Sequence, residues 1–171
     1  GQGNGAGPSI WAILSSTVFA ELRKQGMSTN FCMAISTGLY KLCGFSYVDD
    51  SDLIADGENT EEIHEKIQNM INAWDKIMEV NGAAIATDKC WWYSVKIVWK
   101  QGKWKQVDAG EGCTLSVRDI DDIRRTLPYT KCSEAKEMVG VHLAPDGNKK
   151  KQLEELSKKV REWGDKISKS P

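Results

Sequence analysis

The chain has 171 residues, with 23 basic and 24 acidic side chains and a net charge of −1. That length allows one domain with a real core and an appended piece, and the balanced charge excludes a polyanion partner held by global charge alone, so nucleic-acid contacts would rest on local patches. No apolar run approaches the ~20 residues of a membrane span. Five cysteines at wide, irregular spacing (Cys32, Cys43, Cys90, Cys113, Cys132) fit reduced thiols of an intracellular protein, cytoplasmic or nuclear and not secreted, better than a disulfide framework. His64 and His142 lie apart and no Cys-x-x-Cys pair exists, which argues against zinc.

Residues 1–7, Gly-Gln-Gly-Asn-Gly-Ala-Gly, alternate glycine with small residues and must form a loop. The loop fits the Gly-x-Gly-x-x-Gly/Ala dinucleotide pattern, but no strand precedes it and no acidic residue stands where a second strand would carry one. That match is weak, and a plain glycine-rich linker is the better-supported alternative. Ile10, Trp11, Ile13, Leu14, Thr17, Val18 and Leu22, with Pro8 in the first turn and Gly26 beyond the last, predict a helix over 8–24. Residues 27–43 read as a strand or an extended loop.

The stretch 44–57, Gly-Phe-Ser-Tyr-Val-Asp-Asp-Ser-Asp-Leu-Ile-Ala-Asp-Gly, predicts two short strands of a buried hairpin joined by a tight acidic turn. Adjacent carboxylates repel and raise one another's pKa unless a cation is supplied, and hard divalent ions take oxygen ligands. Asp49 and Asp50 are therefore candidate ligands for Mg²⁺ or Mn²⁺; an ordinary solvated turn is the alternative. An EF-hand is excluded by spacing, because Ala55 stands where its loop needs glycine.

Ile63, Ile67, Met70, Ile71, Trp74, Ile77 and Met78 then mark one face of a long helix. Asn59 or Thr60 caps it, Glu62 supplies the capping-box acid if Asn59 is the cap, and Asn81-Gly82 ends it. The Met and Trp stripe reads as core packing. Residues 89–100 predict an aromatic-rich strand, with Gln101-Gly102 turning into a second at 103–107. Residues 108–133 are polar and irregular. A short strand is expected over 137–143, then a turn at Pro145-Asp146-Gly147-Asn148. Residues 149–167 predict an amphipathic helix with Leu153, Leu156, Val160, Trp163 and Ile167 at spacings alternating between three and four. Its lysines could meet phosphates or simply face solvent.

Taken in order, these pieces resemble the palm of reverse transcriptases of retroelement type. The Tyr47-Val48-Asp49-Asp50 tetrad fits that family's Tyr-x-Asp-Asp motif. Gln2-Gly3 followed by Pro8 is similar to the loop beneath the incoming nucleotide and template base, although the family usually has Ser-Pro where this chain has Gly7-Pro8. Thr87-Asp88-Lys89-Cys90 is similar to the stretch whose lysine faces the triphosphate. Met138-Val139-Gly140-Val141-His142-Leu143 resembles the hairpin that grips the primer terminus.

The resemblance implies an α+β fold, an antiparallel sheet with two helices on one face. Residues 1–147 would form a partial palm and 148–171 the start of the thumb. It implies RNA-directed DNA polymerase activity by template-directed nucleotidyl transfer in a full-length parent and no activity of this fragment alone: two metal ions need carboxylates from more than one strand, and the palm's first aspartate and the fingers have no counterpart here. The implied roles are Asp49 and Asp50 as catalytic metal ligands and Lys89 as the group stabilising the departing pyrophosphate. Gln2, Gly3 and Tyr47 would bind nucleotide and template, and Val139, Gly140 and Val141 would form the primer grip. Implied partners are two Mg²⁺ or Mn²⁺ ions, an RNA or DNA template with its primer, and deoxynucleoside triphosphates, with no membrane. The strand that would lie beside the acidic hairpin is missing, so an open sheet edge is expected. The competing reading is a non-catalytic nucleic-acid-binding remnant of such a palm; a dinucleotide-binding domain built on the glycine loop is the third.

Overall fold

The computed structural model describes residues 7–32, 38–47, 50–110, 112–138 and 140–169. In chain order the first elements are α1 (Gly7–Lys24), β1 (Thr29–Cys32), β2 (Leu39–Leu42), β3 (Gly44–Tyr47), β4 (Asp50–Leu53) and α2 (Thr60–Val80). After a 3₁₀ turn at Thr87–Lys89 come β5 (Val95–Lys100), β6 (Lys103–Asp108), β7 (Ser116–Arg118), β8 (Arg124–Thr126), β9 (Lys136–Met138), β10 (Val141–Leu143) and α3 (Lys150–Ser168). The class is mixed α and β, as expected. The chain divides into two compact units, Gly1–Cys90 with Cys113–Leu127, and Trp91–Gly112 with Pro128–Pro171.

The expected single antiparallel sheet is replaced, among the described residues, by five two-stranded antiparallel sheets. Each strand pairs with the next strand in the chain, the pairing with the smallest loop to close. No described strand bridges one hairpin to another.

In the first unit the core lies between α1, α2 and the β3–β4 hairpin: Val18, Phe19, Leu22, Cys43, Met70, Trp74 and Met78 are buried, with Trp11, Leu14, Leu53 and Ile67 packed against them. The Phe19 and Trp74 rings meet at 5.3 Å. α2 starts as the sequence indicates, with the Asn59 side chain accepting from the Glu62 N–H at 2.8 Å. The Glu62 carboxylate reaches back one residue further than a capping box would, accepting from the Glu58 N–H at 3.0 Å. Its other end closes at Asn81, followed by Gly82 at φ +69°.

The span expected to be irregular contributes to this unit. Leu115, Val117 and Leu127 are buried, and the β7–β8 hairpin between them is pinned to α2 by polar groups. Gln68 both donates to the Ser116 carbonyl (2.8 Å) and accepts from its N–H (2.9 Å). Arg118 reaches Asp75 at 2.7 Å, Glu79 at 2.8 Å and Asp122 at 3.1 Å.

In the second unit the strand expected from residue 89 begins only at Val95. The aromatic run ahead of it packs by its rings instead of extending a ladder. Trp91 stacks on Tyr93 at 5.6 Å, and Trp92 forms a lone parallel bridge to Tyr129 with the rings 4.9 Å apart. Gly110 lies against both rings, where a Cβ would stand 2.7 Å from Tyr129 and 2.9 Å from Trp92. Asp108 fastens the return chain, accepting from the Cys132 N–H at 2.6 Å and the Tyr129 hydroxyl at 3.1 Å. The short strand expected over 137–143 is a hairpin, β9–β10, with Met138 opposite Val141.

Cys43, Cys90, Cys113 and Cys132 stand outside any disulfide. Among the described residues no helix is long and apolar enough to cross a membrane.

Candidate active site

The acidic stretch forms the antiparallel pair that its residues predict, Gly44 opposite Leu53, Phe45 opposite Asp52, Ser46 opposite Ser51 and Tyr47 opposite Asp50. Opposed residues share a face of a strand pair, and successive residues alternate between faces. One face therefore carries Gly44, Ser46, Ser51 and Leu53, and the other carries Phe45, Tyr47, Asp50 and Asp52.

The first face is anchored. The Trp11 indole N–H donates to Ser46 Oγ at 2.7 Å, Ser51 Oγ lies 3.0 Å from Ser46 Oγ, and Ser46 Oγ donates to the Asp50 carbonyl at 3.0 Å. Gly44 has no room for a side chain: a Cβ would collide with the Asp52 carbonyl oxygen and stand 2.9 Å from the Phe19 ring. The hairpin is thus seated on α1 by a small residue, a serine cluster and an indole.

The second face is open, which corrects the expectation of a buried hairpin. Phe45 and Tyr47 are 52% and 61% exposed, and Asp50 is exposed beside them. Of the described apolar residues flanking the acids, Leu53 and Ala55 pack against the core, while Phe45 and Tyr47 stay on the open face. Partial burial, with the Asp50 carboxylate as a second cause, pushes the Asp52 carboxyl above the usual carboxylate range. Crowded carboxylate oxygen on an accessible face is a donor set that a hard divalent cation relieves. The residues present fit Mg²⁺ or Mn²⁺ in that sense, with Asp50 the candidate ligand among the described residues. Among the described residues no group of three His, Cys, Asp or Glu side chains is gathered closely enough to hold a metal by itself.

Of the other residues singled out, Lys89 ends the 3₁₀ turn Thr87–Lys89, and its side chain is exposed. The turn closes through the Lys89 N–H to the Ala86 carbonyl at 3.0 Å. Gly140 has φ +77°, a left-handed conformation suited to glycine at the reversal between β9 and β10, and Val141 opens β10. Tyr47, Asp50 and Lys89 belong to the first unit, and Gly140 and Val141 to the second. Gln2, Gly3, Val48, Asp49 and Val139 lie outside the described residues.

Two features escaped the sequence reading. Asp52 joins Asp50 on one face, a pairing readable from the two-residue period of a strand once the register is known. The β5–β6 hairpin is two-faced, because Trp99 opposes Trp104 and Lys100 opposes Lys103. Ile97, Trp99 and Trp104 share one face at 62%, 59% and 69% exposure, the Trp rings 5.0 Å apart and edge to face. Lys96, Lys100, Lys103 and Lys105 share the other face. Alternating Lys and Trp over 96–105 was the available signal. No family model, characterised protein or solved structure matches the chain.

Proposed function

We propose that the chain is part of the palm of a retrotransposon-like RNA-directed DNA polymerase. The observation that carries this reading is the Tyr47-Val48-Asp49-Asp50 tetrad, whose ends face each other across β3 and β4 with Asp50 and Asp52 on an accessible face. A bound pair of divalent ions would supply charge stabilisation at the attacking and leaving oxygens of nucleotidyl transfer. The chain's own contribution is positional. The serine cluster and Trp11 hold the hairpin against α1, which fixes the direction in which Asp50 presents its carboxylate. The exposed Tyr47 ring on the same face offers a flat surface to a sugar or base. Lys89 offers an accessible cation that can stabilise, or protonate, a departing pyrophosphate.

The test is primer extension on an RNA template with Mg²⁺, using the longest protein that the reading frame encodes and its Asp49→Asn variant. Extension that falls at least a thousandfold in the variant is the expected result. Extension that survives the change overturns the assignment, as does extension by these 171 residues alone.

A second reading, a nucleic-acid-binding module without catalysis, draws support from the β5–β6 hairpin. Exposed Trp faces stack on bases without regard to sequence, and nearby lysines neutralise phosphates. A single-stranded oligonucleotide whose binding persists in Asp49→Asn but is lost in the double variant Trp99→Ala/Trp104→Ala would favour it.

A further inference from the structure

α3 carries a continuous apolar seam of exposed side chains. Leu153, Leu156, Val160, Trp163 and Ile167 follow a strict three-four-three-four spacing, and each is exposed, from 47% at Leu156 to 74% at Ile167. At 3.6 residues per turn these five side chains occupy an arc of roughly 80°. That is the narrow seam of a coiled coil, with Leu153, Val160 and Ile167 at one core position and Leu156 and Trp163 at the other.

The rows bordering the seam decide what kind of partner fits. One border holds Gln152, Lys159 and Lys166; the other holds Lys150, Ser157 and Gly164. Neither border has a carboxylate. The four acids of the helix, Glu154, Glu155, Glu162 and Asp165, all lie further round. A second copy of α3 supplies no counter-charge to these lysines: an antiparallel pair would set the Lys159 and Lys166 rows against each other, and a parallel pair would set them against Ser157 and Gly164, whereas a helix with acidic borders would neutralise them. The small Ser157 and Gly164 on one side leave room for close approach; a Cβ on Gly164 would meet nothing within 4 Å. The opening of the helix is held in place, since Gln152 accepts from the His142 N–H of β10 at 2.7 Å.

We propose that α3 is one half of a heteromeric coiled coil, and that its occupant is a partner protein's amphipathic helix with an apolar seam bordered by Glu or Asp. This goes beyond the polymerase reading and does not depend on it.

The test uses the whole chain and two synthetic three-heptad peptides with leucine at both core positions, one bordered by glutamate and the other by lysine. Binding is read by fluorescence anisotropy at low and high salt. The glutamate peptide should bind at least about tenfold more tightly than the lysine peptide, with the difference shrinking at high salt. Val160→Asp should abolish binding while circular dichroism stays unchanged, because the residue is 63% exposed. The double variant Lys159→Glu/Lys166→Glu should lose the preference or reverse it. Equal affinity for the two peptides overturns the proposal, as does failure to bind either. Two other results overturn it as well: self-association of the chain that Val160→Asp removes, and sedimentation of the chain with vesicles of phosphatidylcholine and phosphatidylserine in a Val160-dependent way.

Discussion

α2 and α3 are nearly equal in length, 21 and 19 residues, and both carry an apolar stripe opposite a charged face. Their surroundings differ completely. α2 buries Met70, Ile71, Trp74 and Met78, is met by α1 and by β4, and has its polar flank tied to β7 by Gln68 with Ser116 and Asp75 with Arg118. α3 buries no residue and touches β10 near its opening turns. Periodicity forecasts that a segment will be helical; whether its stripe is covered depends on which other elements reach it. A seam left open is then informative about partners, where a buried one is informative about stability.

The largest contrast should come from the two tryptophans. Trp74→Ala should cost ~3–5 kcal/mol in urea unfolding, through lost burial and the cavity left behind. Trp163→Ala should stay within ~0.5 kcal/mol. A comparable loss at Trp163 would mean that the α3 seam is covered in the isolated chain.

The glycines should separate next, and with opposite signs. Gly44→Ala forces a methyl against the Asp52 carbonyl and the Phe19 ring, and should destabilise by about 1–3 kcal/mol. Gly164→Ala puts a methyl into open space within a helix and should stabilise by up to about 1 kcal/mol. Thermal melts of the two variants moving in the same direction would refute this distinction.

Helix starts give a smaller difference. Asn59→Ala removes the bond to the Glu62 N–H and should cost about 1 kcal/mol. The N-cap of α3 is Lys149, whose side chain makes no capping hydrogen bond, so Lys149→Ser should gain a similar or smaller amount in helical content and melting temperature.

The smallest effect concerns pH. A hydrogen bond from Arg125, with another from the Ile123 N–H, holds the Asp119 carboxyl below the usual carboxylate range in the turn between β7 and β8. A folded pKa below the unfolded one contributes stability that is fully present above the unfolded pKa and is lost as pH falls through the folded pKa. Asp119→Asn should therefore flatten the acid limb of the melting temperature against pH. An unchanged limb would show that this turn adds nothing to how the β7–β8 hairpin is held on α2.

The readable parts of the fold were those with strong local signals. α1, α2 and α3 follow from apolar spacing and caps, and the β3–β4 and β5–β6 hairpins from their turns; Gln101 at φ +54° and Gly102 at φ +73° make the second of these turns. The β7–β8 hairpin was not readable, because its strands have three residues each and it is held by Gln68 and Asp75 of α2, partners more than forty positions away. The candidate site was half readable. The tetrad marks it, but the division of its flanks into an anchored serine face and an open acidic face needs the register.

The sequence by itself determines the three helices, the β3–β4 and β5–β6 hairpins and their order, the placement of acidic residues beside Tyr47, and the two-sided character of α3, since each depends on residues a few positions apart. Tertiary structure decides the rest. It shows that Trp11 and Gly44 seat the acidic hairpin on α1, that Asp52 stands with Asp50, that the sheets remain five separate pairs among the described residues, and that one of two similar helices is buried while the other is bare. Burial and pairing depend on what arrives from elsewhere in the chain, and no local pattern encodes that arrival.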